Sequence, residues 1–429
     1  MGESPPEVVI VGGGFGGLSA ARALKGAPVR VTLIDRRNFH LFQPLLYQVA
    51  TGGLSPANIS APLRALLRRQ KNARVLMAEV VDVEPESRRL LLDGGEVRYD
   101  FLVLAAGARH HYFGHGEWET VAPGLKTIED ALEIRRRLLS AFEMAERTAS
   151  PEAAEALLTF VVIGGGPTGV ELAGAIGEVA HQTLREDYRE IDTRRARIVL
   201  VEALERVLPT YPADLSQRAR ASLAKLGVEV RTGVRVSAMD DESVVLSAAG
   251  GDGERLRTRT VLWAAGVSTQ PLVTKLSEAF GAETDHAGRL RVGPDLSLPG
   301  RPEVFVIGDM ALSLQDGKPL PGVAPVAMQE GRYLAGLIVD RLQGRPSRPF
   351  RYRDRGSIAT IGRAAAVVHL GRLRLWGLPG WLTYLFVHLM YLEQFQNRLL
   401  VLVQWGWNYF TRNRSARLIT GGRSNWRAE

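Results

Sequence analysis

One short pattern occurs twice in this chain: a β-branched apolar run, glycines at GxGxxG spacing, and then small residues with helical character. The first copy begins at Val8–Val11 and the second at Phe160–Ile163. In a strand–turn–helix unit the first glycine allows the tight turn, the second leaves room beside the backbone, and the third lets the helix pack on the strand. Two copies in this context predict two Rossmann-type units with anion-binding helix N-termini. The glycines are Gly12, Gly14 and Gly17 in the first copy and Gly164, Gly166 and Gly169 in the second.

An acidic residue ends the strand that follows each glycine motif. Asp35 lies 23 residues after Gly12, which suits a carboxylate that accepts a hydrogen bond from a ribose hydroxyl. Glu202 lies 38 residues after Gly164, so the intervening region is longer than usual. A carboxylate at this position favours a free 2′-hydroxyl and repels the 2′-phosphate of NADP, although the nearby Arg206 works against that preference. The second unit is therefore predicted to bind NAD(H).

Three later apolar strands are predicted to complete the two units. Tyr99–Ala108 and Thr260–Val267 each end in small residues and a glycine, as the chain requires where it returns beneath a bound dinucleotide. Val304–Asp309 is a buried run with an acid at its carboxyl end. Because ligands of such sheets bind outside the carboxyl ends of the strands, Asp309 could bond the ribityl chain of a flavin. The alternative is that Asp309 only caps the following helix.

The chain contains no cysteine, and this excludes several redox chemistries. Without a thiolate there can be no disulfide, no redox-active dithiol, no zinc–thiolate site and no cysteine-ligated iron–sulfur cluster. Electron transfer would have to use a bound organic cofactor. Of the eight histidines only His110 and His111 are adjacent, and neighbours on a strand or loop point apart, so no metal site is predicted.

The net charge of +8 is unevenly distributed. From Arg345 to Glu429 there are 14 arginines, no lysine and three acidic residues, a net charge of +11, so the preceding 344 residues sum to −3. The basic character therefore belongs to the C-terminal region. Five of the seven tryptophans lie in the same region, namely Trp376, Trp381, Trp405, Trp407 and Trp426.

Two apolar segments of this region, Gly380–Tyr391 and Arg398–Tyr409, are each about a dozen residues long, too short to span a bilayer. Apolar segments with aromatic residues and a basic fringe are typical of helices that lie in a membrane interface. Each arginine near an anionic surface contributes about 1 kcal/mol. We therefore expect residues 372–417 to bind a membrane surface. The flanking arginines are Arg372, Arg374, Arg412, Arg414 and Arg417.

Other interpretations of these two segments remain open. They could pack on the protein's own core or form a homodimer interface. Nucleic-acid binding is disfavoured, because the arginines bracket apolar runs instead of forming a polar stripe. The first residues lack the basic start and the uninterrupted apolar run of a secretory signal, so none is predicted.

Longer segments carry a resemblance to a known family. The chain resembles the type II NADH:quinone oxidoreductases, single-subunit respiratory NADH dehydrogenases that do not pump protons. The resemblance covers nearly the whole chain and is most specific in Asn38–Gly52, in Gly322–Ile338 and in the segments YRDRGSIATIG and NRLLVLVQWGWNYFTRNRSARLIT. It implies FAD in the first unit, NADH in the second, and electron transfer from NADH through FAD to a membrane quinone, ubiquinone or menaquinone. It also implies a peripheral location on the cytoplasmic face of the inner membrane.

The resemblance further implies roles for individual residues. Glu171 would lie near the nicotinamide and the flavin, and Gln329 beside the flavin near the quinone. Alternatively, Glu171 is favoured in a first helical turn by the helix dipole alone, and Gln329 faces solvent. Many family members have glutamine where this chain has Pro325, so that quinone contact is missing here. The residues implied to contact FAD are Gly12, Gly14, Gly17, Asp35, Ala106, Gly107 and Asp309, and those implied to contact NADH are Gly164, Gly166, Gly169 and Glu202.

The predicted fold class is α/β, with two Rossmann-type dinucleotide-binding domains and a C-terminal amphipathic-helix region that anchors the protein to a membrane. The FAD domain is expected at residues 1–121 and 293–345, the NADH domain at 122–292 and the membrane region at 346–429. Two other functions fit the sequence: a soluble NAD(P)H-dependent reductase of a ferredoxin- or rubredoxin-type partner, and an NADH-sensing flavoprotein that does not turn over. Quinone dependence and membrane partition would distinguish them.

Overall fold

The computed structural model describes residues 4–248 and 253–421, and Trp426 lies outside the described residues. The described residues form two compact units, each assembled from separate stretches of chain. The first unit combines the described residues up to Leu41 with Ser60–Arg109 and Val267–Asp354, and the second combines the described residues of Phe42–Ile59, of His110–Gly266 and from Arg355 onward.

The α-helices of the described residues range in length from four to 20 residues. In chain order they are α1 (Phe15–Ala23), α2 (Leu46–Ala50), α3 (Leu63–Leu67), α4 (Trp118–Val121), α5 (Ile128–Arg147), α6 (Pro151–Leu157), α7 (Pro167–Glu178), α8 (Ala213–Lys225), α9 (Leu272–Phe280), α10 (Ala324–Leu342), α11 (Gly377–Tyr391) and α12 (Phe395–Thr411). Short 3-10 helices occur at Gln43–Leu45, Pro56–Ile59, Thr193–Arg195 and Gly308–Met310, and a π-helix at Val179–Thr183.

The first unit is built on a six-stranded sheet whose central strands are unbroken apolar runs. Glu7–Val11 pairs in parallel with a strand on each side, and its apolar residues are buried. A parallel strand covered on both faces needs apolar side chains on both, which explains the continuous β-branched sequence. In order across the sheet, the strands are Ser297–Leu298, Arg301–Val306, Phe101–Leu104, Glu7–Val11, Arg30–Asp35 and Ala73–Met77, and the first of these is antiparallel to its neighbour.

Alternate residues of the central strand enter two different cores. Val8 and Ile10 pack with α1 and α10, whereas Val9 packs with α9 and the strands of residues 80–98 on the other face. A Cβ on Gly331 of α10 would come within 2.3 Å of the Gly16 carbonyl oxygen of α1, so these helices touch through their backbones. The remaining strands of this unit are Phe39–Leu41 with Ser60–Pro62; Val80–Glu84, Arg89–Leu92 and Gly95–Arg98; Leu290–Arg291 with Ala311–Leu312; and Leu314–Gln315 with Lys318–Pro319.

The second unit contains a smaller parallel sheet. Its strands, in order, are Val228–Thr232, Arg197–Glu202, Thr159–Ile163 and Thr260–Trp263. The long connection predicted before Glu202 contains α7, the π-helix that continues it and a 3-10 turn. An antiparallel sheet follows in the same unit, formed by Val234–Met239, Ser243–Ala248 and Glu254–Arg257. Short strands also occur at Ala108–His110 and Val267–Thr269, where the chain passes from one unit to the other.

A third sheet of this unit connects α7 to the C-terminal helices. Its antiparallel strands are Ser357–Gly362, Ala365–Leu370 and Leu373–Trp376, and they pack on α7, α8 and α11. A Cβ on Gly174 of α7 would lie 1.8 Å from the carbonyl oxygen of Ile361, so helix and strand are in backbone contact. Within residues 4–248 and 253–421, no helix is both long and apolar enough to cross a membrane.

Candidate functional site

The first glycine motif forms a tight turn at the end of the strand Glu7–Val11. Gly12 has φ of +106°, and a Cβ there would lie 2.3 Å from the carbonyl oxygen of Ala105. A Cβ on Gly17 would lie 1.9 Å from the carbonyl oxygen of Gly12. Gly14 is the N-cap of α1 and has open space in front of it. Two glycines are thus needed for packing, and the third leaves room for an anion at the helix N-terminus.

Asp35 closes this turn from the neighbouring strand. Its carboxylate accepts hydrogen bonds from the backbone N–H of Gly13 at 2.6 Å and of Arg37 at 2.7 Å. On the other side of the turn, the Nδ1 atom of His40 lies 2.9 Å from the carbonyl oxygen of Gly13. We call the glycine turn, the N-terminus of α1 and Asp35 together the first glycine cradle. Its open helix N-terminus fits the phosphates of a dinucleotide such as FAD, and its fixed carboxylate fits the ribose.

The second glycine motif repeats this arrangement in the second unit. Gly164 has φ of +108°, and a Cβ on Gly169 would lie 1.8 Å from its carbonyl oxygen. Glu202 accepts hydrogen bonds from the backbone N–H of Gly165 at 2.6 Å and of Leu204 at 2.8 Å. In both units the acid binds its own glycine loop, although one acid is aspartate and the other glutamate.

Two further residues bear on the ligand of the second cradle. Gly166 is the N-cap of α7, with open space beside it, as Gly14 is for α1. Arg206 donates a hydrogen bond to the carbonyl oxygen of Pro209 at 2.8 Å, so its guanidinium is held within its own loop. The carboxylate of Glu202 is bonded directly to the turn, and the residues present fit a nicotinamide dinucleotide with a free 2′-hydroxyl.

Asp309 lines a cavity of about 200 Å³ in the first unit. It belongs to the 3-10 helix Gly308–Met310, immediately beyond the strand Arg301–Val306. Gly322 lies on the other side of its carboxylate, where a Cβ would come within 3.1 Å of Oδ1. Asp309 is therefore at the carboxyl end of a parallel strand and faces a cavity, as the sequence predicts.

The predicted turn at Ala106 and Gly107 lies beside this helix. The backbone N–H of Ala106 donates to the Sδ atom of Met310 at 3.0 Å. Gly107 has φ of +71°, which a glycine adopts at no steric cost. The structure therefore brings Ala106, Gly107 and Asp309 together in one unit with the first glycine motif.

Glu330, which no sequence motif singled out, lines the same cavity as Asp309. Glu330 is 1% exposed, and its carboxylate accepts a hydrogen bond from the Gly308 N–H at 2.6 Å. Burial raises the pKa of Glu330 to about 7; the hydrogen bond from Gly308 lowers it, and the charge of Asp309 raises it. The helical spacing Val326–Glu330–Leu334 places Glu330 on the buried face of α10, a signal that periodicity alone could have provided.

Gln329 holds the chain that follows α10. Its Nε2 donates to the carbonyl oxygen of Arg353 at 2.9 Å, and its Oε1 accepts from the Arg353 N–H at 3.0 Å. It belongs to the first unit, whereas Glu171 belongs to the second. Pro325 is the second residue of α10, a position at which a proline breaks no intrahelical hydrogen bond, so the helix tolerates it.

Glu171 is the fifth residue of α7 and lies beyond the first turn, which has no acidic residue. The alternative that the helix dipole alone places it there is therefore wrong, since that effect falls off within the first turn. The residue is 9% exposed, and its carboxylate accepts one hydrogen bond, from the Thr360 N–H at 3.3 Å. Burial raises the pKa of Glu171 to about 8, against a lowering by the Thr360 hydrogen bond, so the carboxyl group is mostly protonated at neutral pH.

A cavity of about 120 Å³ in the second unit joins Glu171 to a hydrogen-bonded chain of side chains. The hydroxyl groups of Tyr47 and Tyr384 are 3.0 Å apart. Gln48 Nε2 donates to the Tyr47 hydroxyl at 2.8 Å, and Trp405 Nε1 donates to Gln48 Oε1 at 2.8 Å. Burial raises the pKa of both tyrosines, so both keep their protons. One O–H donates to the other tyrosine's oxygen, and the remaining O–H is available to donate to a group in the cavity.

Several basic side chains of the C-terminal region have acidic partners inside the second unit. The ion pairs are Arg374–Asp214 at 3.0 Å, Arg414–Glu178 at 2.7 Å and Arg417–Asp187. By contrast, Arg363 and Arg412 are exposed at the mouth of the 120 Å³ cavity, and in the described part of the chain neither guanidinium pairs with a carboxylate. Arg363 stacks over the ring of Tyr409 at 4.0 Å.

The helices α11 and α12 each have a buried side and an apolar exposed side. Tyr384 and Trp405 face inward, whereas Phe386 is 64% exposed and Phe410 is 83% exposed. The apolar residues exposed on the two helices are Leu378, Leu382, Phe386, Met390, Phe395, Leu399, Leu400, Leu402, Val403, Trp407 and Phe410.

Comparison with known proteins agrees with this geometry. Residues 6–331 match the family described as pyridine nucleotide-disulphide oxidoreductase, which defines the class of protein, although this chain has no cysteine. The chain is 44% identical over 420 residues to the type II NADH:quinone oxidoreductase Ndh of Mycobacterium tuberculosis, covering 96% of this chain and 90% of that one. It is also 44% identical over 422 residues to NdhA of the same organism, covering 96% and 89%. The chain therefore belongs to the type II NADH:quinone oxidoreductase family.

Solved structures share the fold at low sequence identity. The chain aligns with NDH2 of Plasmodium falciparum, solved in complex with NADH, at a TM-score of 0.86 and 21% identity, covering 97% of this chain and 100% of that one. It aligns with the sulfide:quinone oxidoreductase of Aquifex aeolicus at a TM-score of 0.74 and 18% identity, covering 96% and 92%. The predicted family and the predicted α/β fold with two Rossmann-type domains are thus confirmed.

Proposed function

We propose that this protein oxidises NADH and reduces a membrane quinone without pumping protons, as membership of its family implies. The observation that carries the proposal is the pair of glycine cradles, each closed by a carboxylate, in a chain 44% identical to type II NADH:quinone oxidoreductases. When bound, FAD supplies the chemistry by accepting a hydride and passing on two electrons. The chain's own residues orient the two dinucleotides and hold the protons.

The first unit holds FAD. The open N-terminus of α1, with Gly12, Gly14 and Gly17, binds the pyrophosphate, and Asp35 accepts from a ribose hydroxyl. At the other end of the ligand, Ala106 and Gly107 give close backbone approach, and Asp309 accepts hydrogen bonds in the 200 Å³ cavity. The proposed FAD domain, residues 1–121 and 293–345, shares most of its residues with this unit but also includes Phe42–Ile59 and residues 110–121 of the second.

The second unit holds NADH. The proposed NADH domain, residues 122–292, overlaps this unit and also includes residues 267–292 of the first. Gly164, Gly166 and Gly169 form the pyrophosphate cradle, and Glu202 accepts from the adenosine ribose. Glu202 repels a 2′-phosphate, and the hydrogen bond from Arg206 to the Pro209 carbonyl oxygen draws the guanidinium into its own loop, so NADH is preferred over NADPH.

Glu171 supplies a proton during turnover. It is mostly protonated at neutral pH and lines a cavity with two buried tyrosine hydroxyl groups. A quinone carbonyl group in this cavity would meet proton donors on one wall. Gln329 acts beside the flavin by fixing the backbone of Arg353.

The exposed apolar side of α11 and α12 inserts into the membrane interface, within a region of residues 346–429. Of the flanking arginines, Arg372 and Arg412 are exposed and face lipid headgroups together with Arg363. The others, Arg374, Arg414 and Arg417, are bound to carboxylates. We propose that the protein lies on the cytoplasmic face of the inner membrane, because NADH is supplied there. A homodimer formed through the same helices is the competing arrangement.

Stopped-flow absorbance of the bound flavin tests the proposal. Purified protein in detergent is mixed with NADH or NADPH, and the reduced protein is then mixed with a short-chain quinone or a ferredoxin. We expect fast bleaching by NADH and fast reoxidation by quinone. Fast bleaching with slow reoxidation by the quinone would overturn the quinone assignment, and reoxidation by ferredoxin alone would favour a soluble reductase.

A further inference from the structure

The carboxyl group of Glu330 is buried at the place where two helices are locked together. The next residue, Gly331, touches the backbone of α1, where an added Cβ would lie 2.3 Å from the Gly16 carbonyl oxygen and 2.9 Å from the Ala20 nitrogen. This contact leaves α10 no freedom to shift along α1. The Glu330 carboxylate is therefore held at one position, where it accepts a hydrogen bond from the Gly308 N–H at 2.6 Å.

Gly308 begins the short helix that carries Asp309. Its φ of +68° belongs to the left-handed region, so the turn between the strand Arg301–Val306 and Asp309 needs a glycine. A glycine turn is easily deformed unless its polar groups are held. Glu330 holds the N–H of Gly308, the residue that directly precedes Asp309.

We propose that Glu330 is a positioning residue of the flavin site, which fixes Asp309 through the Gly308 N–H and takes up a proton from solvent when the bound flavin gains negative charge. The inference rests on the proposed function, because it takes FAD as the ligand of the first unit. No bond is made or broken at Glu330 apart from its O–H bond. The proton that it gains offsets part of the charge brought by the two electrons.

Few charged groups face Glu330, which makes its protonation sensitive to the ligand. Asp309 is the nearest, and Arg289, which lines the same cavity, is paired with Asp285 at 2.8 Å. The helix α1 presents glycine, serine and alanine at the contact, and its one titratable residue, Arg22, lies in its last turn. With burial raising the pKa of Glu330 to about 7, a new negative charge in the cavity would draw a proton onto it near neutral pH.

Two variants separate positioning from proton uptake. In Glu330→Gln the side-chain oxygen still accepts from Gly308 but cannot ionise, whereas Glu330→Ala removes both properties. Asp340→Asn, on the same helix and paired with Arg345, makes the same change from carboxylate to amide outside the cavity and serves as the control.

The experiment is a redox titration of the flavin in the full-length protein between pH 5.5 and 8.5, followed by absorbance, together with the affinity of the apoprotein for FAD. The reduced flavin's own ring proton bends the pH profile of every variant, so we expect the midpoint potential of the parent and of D340N to fall more steeply above pH 7 than that of E330Q, whose FAD affinity stays within about threefold. E330A should bind FAD about tenfold more weakly, because it leaves the Gly308 N–H without its buried partner.

If the midpoint potentials of the parent and of E330Q depend on pH in the same way, proton uptake by Glu330 is overturned. Unchanged FAD affinity in E330A would overturn its positioning role. These results are independent of NADH and quinone, so a failure of the quinone assignment leaves the test intact. A parent protein that binds no FAD would contradict both this inference and the proposed function.

Discussion

The protonation of Glu171 is set by its surroundings and not by the helix that carries it. Its pKa is raised by burial from 4.5 to about 8, so the folded protein keeps a proton that the unfolded chain has already released. The folded state is therefore destabilised relative to the unfolded state as pH rises. Stability associated with this group is fully present below pH 4.5 and is lost as pH rises towards 8.

Replacing this glutamate by glutamine tests that relation. The glutamine of Glu171→Gln cannot ionise, so the variant does not undergo the loss of stability that the parent shows between pH 4.5 and 8. We expect the unfolding free energy of the variant, relative to the parent, to rise by roughly 2–4 kcal/mol between pH 5 and pH 9. Urea denaturation followed by tryptophan fluorescence at the two pH values measures it. An equal difference at both would show that Glu171 is ionised in the folded protein.

Glu202 should decide between the two nicotinamide dinucleotides. Glu202→Gln removes the negative charge but keeps an oxygen for one of its two backbone hydrogen bonds. We expect kcat/KM for NADH to fall about tenfold or more, and the ratio of NADH to NADPH to fall at least as far. Steady-state kinetics with both substrates measure this.

The matched control is Glu205→Gln, an exposed residue of the same loop, which should leave the ratio unchanged. If the ratio falls equally in both variants, the general charge of the loop is responsible and not the carboxylate bound to Gly165.

At the scale of elements, the contact between α1 and α10 supports the proposed FAD site. Gly331→Ala would place a Cβ 2.3 Å from the Gly16 carbonyl oxygen and force the helices apart. Gly336→Ala, five residues along the same helix, would meet nothing within 4 Å. We expect the first variant to lose about 1–3 kcal/mol and to release flavin, and the second to gain about 1 kcal/mol. Melting temperature measures the stability of each variant, and the flavin absorbance that remains after purification measures its flavin content. Equal changes in the two variants would contradict the backbone contact.

Local elements could be predicted from the sequence because their signals are local. Each apolar run adjoins its glycine motif, and the acid ends the next strand along the chain, so each strand–turn–helix–strand unit is one continuous segment and folds as predicted. The two apolar segments of the tail were predicted as helices at Gly380–Tyr391 and Arg398–Tyr409, and they form α11 and α12 with bounds extended by a few residues.

Contacts between distant segments could not be predicted in this way. Tyr47 and Tyr384 form a hydrogen bond although they are 337 residues apart, and the hydrophobic periodicity of a sequence does not predict such a pair. The pairing of Arg414 with Glu178 likewise depends on how the tail folds back, so counting arginines overstated the free basic charge. Glu330 is intermediate, since its place on the buried face of α10 could have been inferred from spacing, but its bond to Gly308 could not.

At the scale of the whole molecule, the proposed membrane surface depends in part on Arg363 and Arg412, which are exposed and have no carboxylate partner among the described residues. The double variant Arg363→Gln and Arg412→Gln should bind vesicles containing anionic lipid about tenfold to thirtyfold more weakly than the parent. Co-sedimentation with vesicles with and without anionic lipid measures this. The flavin content of the purified protein and the reduction of its flavin by NADH in detergent should not change.

The control for that experiment is the double variant Arg220→Gln and Arg235→Gln. Both residues are exposed in the same unit and neither lines the cavity, so the loss of charge is identical. Equal weakening in the two double variants would mean that vesicles sense only net charge.

The first unit is assembled from three stretches of chain, and this has a consequence for biosynthesis. Gly12 and Asp309 are about 300 residues apart, so at the usual speed of translation the ribosome makes them roughly 15–60 s apart. Until the strand Arg301–Val306 is added, the nascent sheet has an open edge beside Phe101–Leu104 and no complete place for FAD. The second unit's parallel sheet is by then fully synthesised. A cell that makes this protein must therefore shield an unfinished, cofactor-free N-terminal sheet for most of the time that translation takes.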